Sequence, residues 1–217
     1  AKQALITSAS ELPEVMASWG DGNIWPVVVK PIDSAGTDNV YLCHSLREAE
    51  EAATMILGSV NMNAAVNEKC VVMEYLQGTE YVVDGVSRDG LHKVVAVWVY
   101  DKGRVNDSDF VYKSMTLCGG AAQPELIQYY LQVLDALEVR NGPTHAEIMI
   151  TATGPVLVEL AARCHGGAGS WLPLVRACIG YDQVDAAVSA SCDPDNFELL
   201  PKLPKLKANG REVFLIS

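Results

Sequence analysis

Thr144-His-Ala-Glu-Ile-Met-Ile150, a turn at Thr153-Gly154, and Pro155-Val-Leu-Val-Glu-Leu-Ala-Ala-Arg163 decide how this chain folds. Both runs alternate apolar with polar residues, the period of a strand with one buried face, and the turn joins them as a hairpin. Alternation puts Ala146, Ile148 and Ile150 with Val156, Val158, Leu160 and Ala162 on an apolar face, leaving His145, Glu147, Glu159 and Arg163 on the other. Glu147 and Glu159 each stand six positions from Thr153. A regular hairpin centred there sets them directly opposite, with Cβ atoms about 5 Å apart. Carboxylates so placed repel, and a cation between them removes the conflict; hard oxygen ligands on a rigid strand pair suit Mg²⁺. The same pattern also reads as a solvated face with ordinary surface charges, and one bulged residue would carry a carboxylate to the other side.

Working outward, Arg163 lies four residues after Glu159, on the same face if the strand continues, where its fork suits a carboxylate or a transferring phosphoryl group. Cys164-His-Gly-Gly-Ala-Gly-Ser170 follows, with glycines that let backbone N–H groups approach an anion at the start of the next helix. His145 and His165 read either as substrate contacts or as hydrogen-bonded structural residues. Upstream, Trp25-Pro-Val-Val-Val-Lys30 ends an apolar strand in a charge, just before the small residues Ser34, Ala35, Gly36 and Thr37. A lysine there is a clamp for ATP phosphates or a solvated strand end, and the run is neither a Walker A loop nor a dinucleotide fingerprint. The run Val71-Val-Met-Glu-Tyr-Leu-Gln-Gly-Thr-Glu-Tyr-Val-Val-Asp84 breaks at Gly78 and reads as a connector between two lobes. Backbone groups of Met73, Glu74, Tyr75 and Leu76 are candidates to meet an adenine edge, and Glu80 to accept from ribose hydroxyls.

Further strand-like runs lie at Trp25 to Lys30, Cys70 to Tyr75, Tyr81 to Val86 and His92 to Tyr100. Ser45 with Glu48 forms a capping box before an Ala-rich helix ending near Leu57. Pro124 opens a helix whose Leu126, Ile127, Tyr130, Leu131, Leu134 and Leu137 recur at helical spacing, and a third helix follows the glycines at 166 to 169. Turns at Asp89-Gly90 and Thr153-Gly154 make much of the sheet antiparallel, which favours an α+β fold over a Rossmann arrangement. Asn61 to Asn67 reads as a surface loop. The expected division is a smaller lobe, 1–75, and a larger one, 76–217.

The 217 residues are 49% hydrophobic, ample for one core or two small lobes. With 27 acidic against 16 basic residues the chain has no basic stripe for a nucleic acid backbone. Apolar stretches such as Val94 to Tyr100 stop far short of the ~20 residues of a membrane span, and no signal pattern opens the chain. The expectation is a cytoplasmic protein with no nucleic acid or membrane partner, whose six scattered cysteines are reduced thiols. A start at Ala1 and an end just after the apolar run Val213 to Ile216 suggest a piece of something longer.

Taken in order, Val-Val-Val-Lys-Pro with its small-residue loop, Met-Glu-Tyr-Leu-x-Gly-x-Glu, His-x-Glu, and Val-Glu-x-x-x-Arg-Cys-His-Gly-Gly resemble the ATP-grasp superfamily, over roughly residues 24 to 192. They are most similar to carboxylate-amine ligases of the L-amino-acid ligase and dipeptide-synthetase type. The resemblance implies two α+β lobes with largely antiparallel sheets enclosing the nucleotide. It assigns phosphates to Lys30, their cover to Ser34, Ala35, Gly36 and Thr37, ribose to Glu80, and Mg²⁺ or Mn²⁺ to Glu147 and Glu159. Arg163 would steady an acyl phosphate, with His145 beside it in the active site, while ATP activates a small-molecule carboxylate for attack by an amine. The chain departs from the pattern at Ala161, where many relatives carry Asn, and at Met73, where an acidic residue is common. The upstream substrate lobe and second phosphate lysine are not evident, Lys2 being a poor match. The competing expectations are an ATP-binding or regulatory module without turnover and a phosphotransferase that delivers phosphate to a hydroxyl. A homodimer is compatible with either.

Overall fold

Valine-rich segments build the sheets of this α+β protein. The structure is a computed structural model that describes residues 1–20, 24–106, 108–120 and 123–216, and every count below refers to these. The chain forms two compact units, Ala1–Leu76 with Arg104–Val111, and Gln77–Gly103 with Tyr112–Ser217. The segment Arg104–Val111, which a division at 75 and 76 gives to the larger lobe, groups with the first unit.

In the first unit, β1 (Gln3–Ile6), β2 (Val27–Pro31), β3 (Tyr41–Cys43) and β4 (Cys70–Glu74) form a sheet in the order β1-β4-β2-β3, each pairing antiparallel. Helices α1 (Leu12–Ser18) and α2 (Leu46–Ile56) close over it, burying Leu12, Ala49, Ala53 and Ile56 against Ile6, Val27, Val29 and Val72. Ser45 caps α2 by accepting from the Glu48 amide at 3.3 Å. The Glu48 carboxylate reaches one residue further back than the usual box, to the His44 amide at 2.8 Å. Asn61 to Asn67 is a surface turn, with Met62, Asn63, Ala64 and Val66 exposed, but its two end asparagines are buried, Asn61 and Asn67 being 4% and 1% exposed. The Asn61 amide donates to Asn67 and Asp33, and its oxygen accepts from the amides of Asn63 and Ala65. Asparagines are buried here because their side chains replace the backbone bonds that a tight turn forgoes.

The second unit is built on a sheet in the order β10-β7-β6-β5-β8-β9. Its strands are β5 (Thr79–Arg88), β6 (Leu91–Val105), β7 (Ser108–Cys118), β8 (Gly142–Thr151), β9 (Gly154–Ala161) and β10 (Arg211–Val213). One face packs Val83, Val97, Ala146 and Ile148 on α3 (Pro124–Ala136) through Leu126, Tyr130 and Leu134. Leu137, expected on that apolar stripe, is the residue after the helix and is 57% exposed. The opposite face packs Val82, Ala96 and Trp98 on α4 (Leu172–Ile179). Helices α5 (Gln183–Cys192) and α6 (Pro194–Leu199) bury Ala186, Ala190 and Phe197 against Val86 and Val95. All six cysteines are free, and among the described residues no helix is long and apolar enough to cross a membrane.

Gly78 is the break before β5. A Cβ built there would stand 2.1 Å from the Ile150 carbonyl oxygen, and its φ of 159° is one that side chains rarely adopt. Gly78→Ala should therefore cost about 1–3 kcal/mol in urea unfolding. Gly119→Ala, with nothing within 4 Å, should stay within about 0.5 kcal/mol of the parent.

Candidate functional site

Strand pairing, not the turn alone, sets the carboxylate hairpin. Thr151 pairs with Gly154 and Ile148 with Leu157, so the turn is centred half a residue before Thr153, and a regular ladder would bring Val158 opposite Glu147. A bulge between Glu147 and Ile148 shifts the register by one and restores Glu147 opposite Glu159. The two departures cancel at the carboxylates but not along the apolar face, where Leu157 and Leu160, rather than Val156 and Val158, join the α3 cluster. Glu147 is 7% exposed and Glu159 half-buried.

Across β5 the same face continues. Val82 pairs with Glu147 and Glu80 with Met149, which sets Glu80 diagonally beside Glu147. Lys102 completes the group: its Nζ donates to Glu80 Oε1 at 2.6 Å and Glu147 Oε2 at 3.2 Å, and lies over the rings of Tyr112 and Tyr100, 4.4 and 4.9 Å from their centroids. Burial, then the Glu147 charge, pushes the Glu80 carboxyl up to about 8, against the pull of Lys102. Burial acts on Glu147 in the same direction, but the His145 hydrogen bond and the Lys102 charge hold it below the usual carboxylate range. Burial would strip the proton from Lys102, and the two glutamates outweigh it.

Beneath this group Asp84 is fully buried. It accepts from His145 Nδ1 at 2.8 Å, His165 Nδ1 at 2.9 Å and Trp98 Nε1 at 2.8 Å. His145 Nε2 faces Glu147 Oε1 at 3.7 Å. Burial lowers the His145 pKa, yet the hydrogen bonds to Asp84 and Glu147 carry it up to about 9. Arg163 lies elsewhere. β9 ends at Ala161, so Arg163 leaves the strand face, is exposed, and donates to the Cys164 carbonyl at 2.9 Å. Its Nη1 stands 3.8 Å from where a Cβ on Gly166 would be, which puts the guanidinium against the glycine loop. In that loop Gly167, Ala168 and Gly169 all have left-handed φ, of 66°, 51° and 78°.

The remaining candidates belong to the first unit. Lys30, half-buried on β2, pairs in register with Val71. Ser34 donates to Asp38 Oδ2 at 2.8 Å, and the same oxygen accepts from the Met62 amide at 3.0 Å, so Ala35, Gly36 and Thr37 are spanned by one carboxylate. Gly36 and Thr37 have φ of 64° and 61°. Met73 is 4% exposed. The amides of Glu74 and Tyr75 bond to the carbonyls of Lys2 and Pro26, so the backbone edge offered to a base narrows toward Leu76, where the ladder has ended.

A family model described as the ATP-grasp domain matches residues 24–171. The chain belongs to the ATP-grasp family. It is 35% identical over 197 residues to dapdiamide A synthase of Enterobacter agglomerans, covering 90% of this chain and 45% of that protein. It is 28% identical over 192 residues to the L-arginine-specific L-amino acid ligase of Bacillus subtilis, covering 86% and 45%. Among solved structures it is similar to an L-amino acid ligase from Bacillus licheniformis, with a TM-score of 0.65 at 18% identity over 92% of this chain and 46% of that one; this is a likeness of fold. The chain thus spans less than half the length of these relatives.

The sequence reading missed Lys102 and Asp84. Trp98, Tyr100 and Lys102 alternate on one face of β6, and continuing that period past Tyr100 was the available signal. Glu80 gives a pH test. With its folded pKa raised from 4.5 to about 8, its contribution to stability is complete below 4.5 and is lost as the pH rises to about 8. Urea unfolding in EDTA should show stability falling with pH across that window, more steeply for the parent than for Glu80→Gln.

Proposed function

We propose that this chain is the nucleotide-binding core of an ATP-dependent ligase that joins an amino-acid-like carboxylate to an amine. The pairing of Glu147 with Glu159, with Glu80 and Lys102 beside them on one sheet face, carries the reading. Relatives that include an amino acid ligase give it its direction. The donor set fits a hard divalent cation, since Glu147 and Glu159 are carboxylate oxygen donors set opposite one another on a rigid strand pair. Glu147 and Glu159 would hold Mg²⁺, or Mn²⁺ in its place, which when bound neutralises phosphate charge and polarises a phosphoryl oxygen.

The chain's own groups do the rest. Lys30 meets phosphate oxygens as a point charge, and the loop from Ser34 to Thr37 supplies small residues and backbone N–H groups that approach them closely. Leu76 and its neighbours border the base, and Glu80 accepts from ribose hydroxyls. Arg163 and the loop that opens at Gly166 receive the γ-phosphoryl group as it passes to the substrate carboxylate, with the released ADP as leaving group. The amine then attacks the acyl carbon, phosphate departs, and an amide remains.

Lys30→Ala should weaken ATP about tenfold or more, the worth of one charge-assisted hydrogen bond, and leave adenosine unchanged in calorimetry. In the protein that carries this chain, an amino acid with an ¹⁸O-labelled carboxylate should pass one label to inorganic phosphate. Unlabelled phosphate would instead mark transfer to water, a phosphate ester without free phosphate would mark transfer to a hydroxyl, and equal binding of ATP and adenosine by parent and variant would remove the nucleotide assignment.

A further inference from the structure

Asp84, His145 and His165 form a second cluster on the same sheet face, beneath the carboxylates, and the chemistry above does not use it. An ionised carboxylate only accepts, so both histidines must carry a hydrogen on Nδ1 to bond it at 2.8 and 2.9 Å. Each ring then turns its Nε2 outward: that of His145 to Glu147 at 3.7 Å, that of His165 to the Tyr100 hydroxyl at 3.3 Å. The two rings lie 4.5 Å apart in an edge-to-face arrangement, and His165 also rests on Trp171, 5.2 Å between centroids. His145 is two residues before Glu147 on β8, and His165 is the residue before Gly166. One buried carboxylate therefore holds both the strand that bears Glu147 and the entry to the glycine loop.

We propose that Asp84 is a positioning residue that ties the carboxylate hairpin to the glycine loop through His145 and His165, so that the two parts of the site keep one relative placement. The inference rests on the proposed roles of Glu147 and of that loop. Two features favour it over a metal centre built from the same three side chains. Asp84 Oδ2 is shared by His165 and the Trp98 N–H, and both carboxylate oxygens lie at hydrogen-bond rather than metal-bridged geometry from the ring nitrogens. Gln183, fully buried, makes a parallel tie. It accepts from the His165 amide at 2.8 Å and donates to the carbonyls of Gly85 and Thr144, the neighbours of Asp84 and His145.

An asparagine amide reproduces the Nδ1 donor of histidine and an alanine does not, so His165→Asn and His165→Ala separate anchoring from bulk. Backbone ¹⁵N relaxation of the protein without nucleotide should give order parameters at Gly166 to Gly169 that fall from rigid values near ~0.85 to below ~0.6 in His165→Ala and Asp84→Asn. His165→Asn should stay near the parent. The Mg²⁺-dependent affinity for ATP should drop about tenfold in the first two variants and no more than about threefold in the third. An unchanged, rigid loop in His165→Ala would overturn the proposal. So would stoichiometric Co²⁺ binding with visible absorption that Asp84→Asn removes. If Asp84→Asn does not fold, the two His165 variants decide alone. A parent chain that binds no Mg²⁺·ATP would overturn the proposed function, while the order parameters would still judge the anchor.

Discussion

Carboxyl groups withdrawn from water on one face of a sheet are the constraint around which the second unit is organised. Glu80, Asp84 and Glu147 are all largely buried. A buried carboxylate is costly unless cations or N–H donors meet it, by several kcal/mol per ion even after relaxation. Asp84 is met by three N–H donors, and Glu80 and Glu147 share a lysine held between two tyrosine rings. Such an arrangement is a poor way to stabilise a fold, because apolar residues of the same volume would serve as well or better. It is a sound way to hold a cation and a polyphosphate, whose charges need oxygen ligands and a compensating cation in a fixed place.

The layering of the sheet separates packing from charge. One face is given to packing, with Val83, Val97, Ala146 and Ile148 under α3. The other is divided: Val82, Ala96 and Trp98 lie under α4, while Glu80 and Lys102 lie further along those strands and Glu147 and Glu159 on β8 and β9. Trp98 serves both halves, since its ring fills the α4 core and its N–H bonds Asp84. Rigid strands therefore carry the charged groups, and the glycine-rich backbone lies in the loop after β9.

Much of this was legible in the sequence where the informative pairs are close along the chain. The hairpin, the α+β class and the opposition of Glu147 to Glu159 follow from alternation over twenty residues, although the register was reached through an off-centre turn that a bulge compensated. No rule of alternation announces a bulge, because it depends on which side chains the partner sheet face will accept. Lys102 and Asp84 escaped notice for another reason. Their partners lie 14 to 81 residues away, and which strands become neighbours is decided by tertiary packing. The Asp101-Lys-Gly-Arg104 stretch also has the composition of a loop, yet β6 continues through it to Val105. Arg163 went the other way: its spacing from Glu159 placed it on the strand face, but the strand ends at Ala161, before the glycine loop.

The proposed nucleotide site, with a divalent cation on Glu147 and Glu159, rests on membership of the ATP-grasp family and on the pairing of those carboxylates across the hairpin. Calorimetric titration of ATP into the chain, with and without Mg²⁺, for the parent and for Glu147→Gln, bears on this most directly. Binding that needs Mg²⁺ and vanishes in Glu147→Gln at unchanged fold is the expected result. Binding of equal strength with and without Mg²⁺, indifferent to the variant, would mean that the buried carboxylates serve the fold and not the nucleotide.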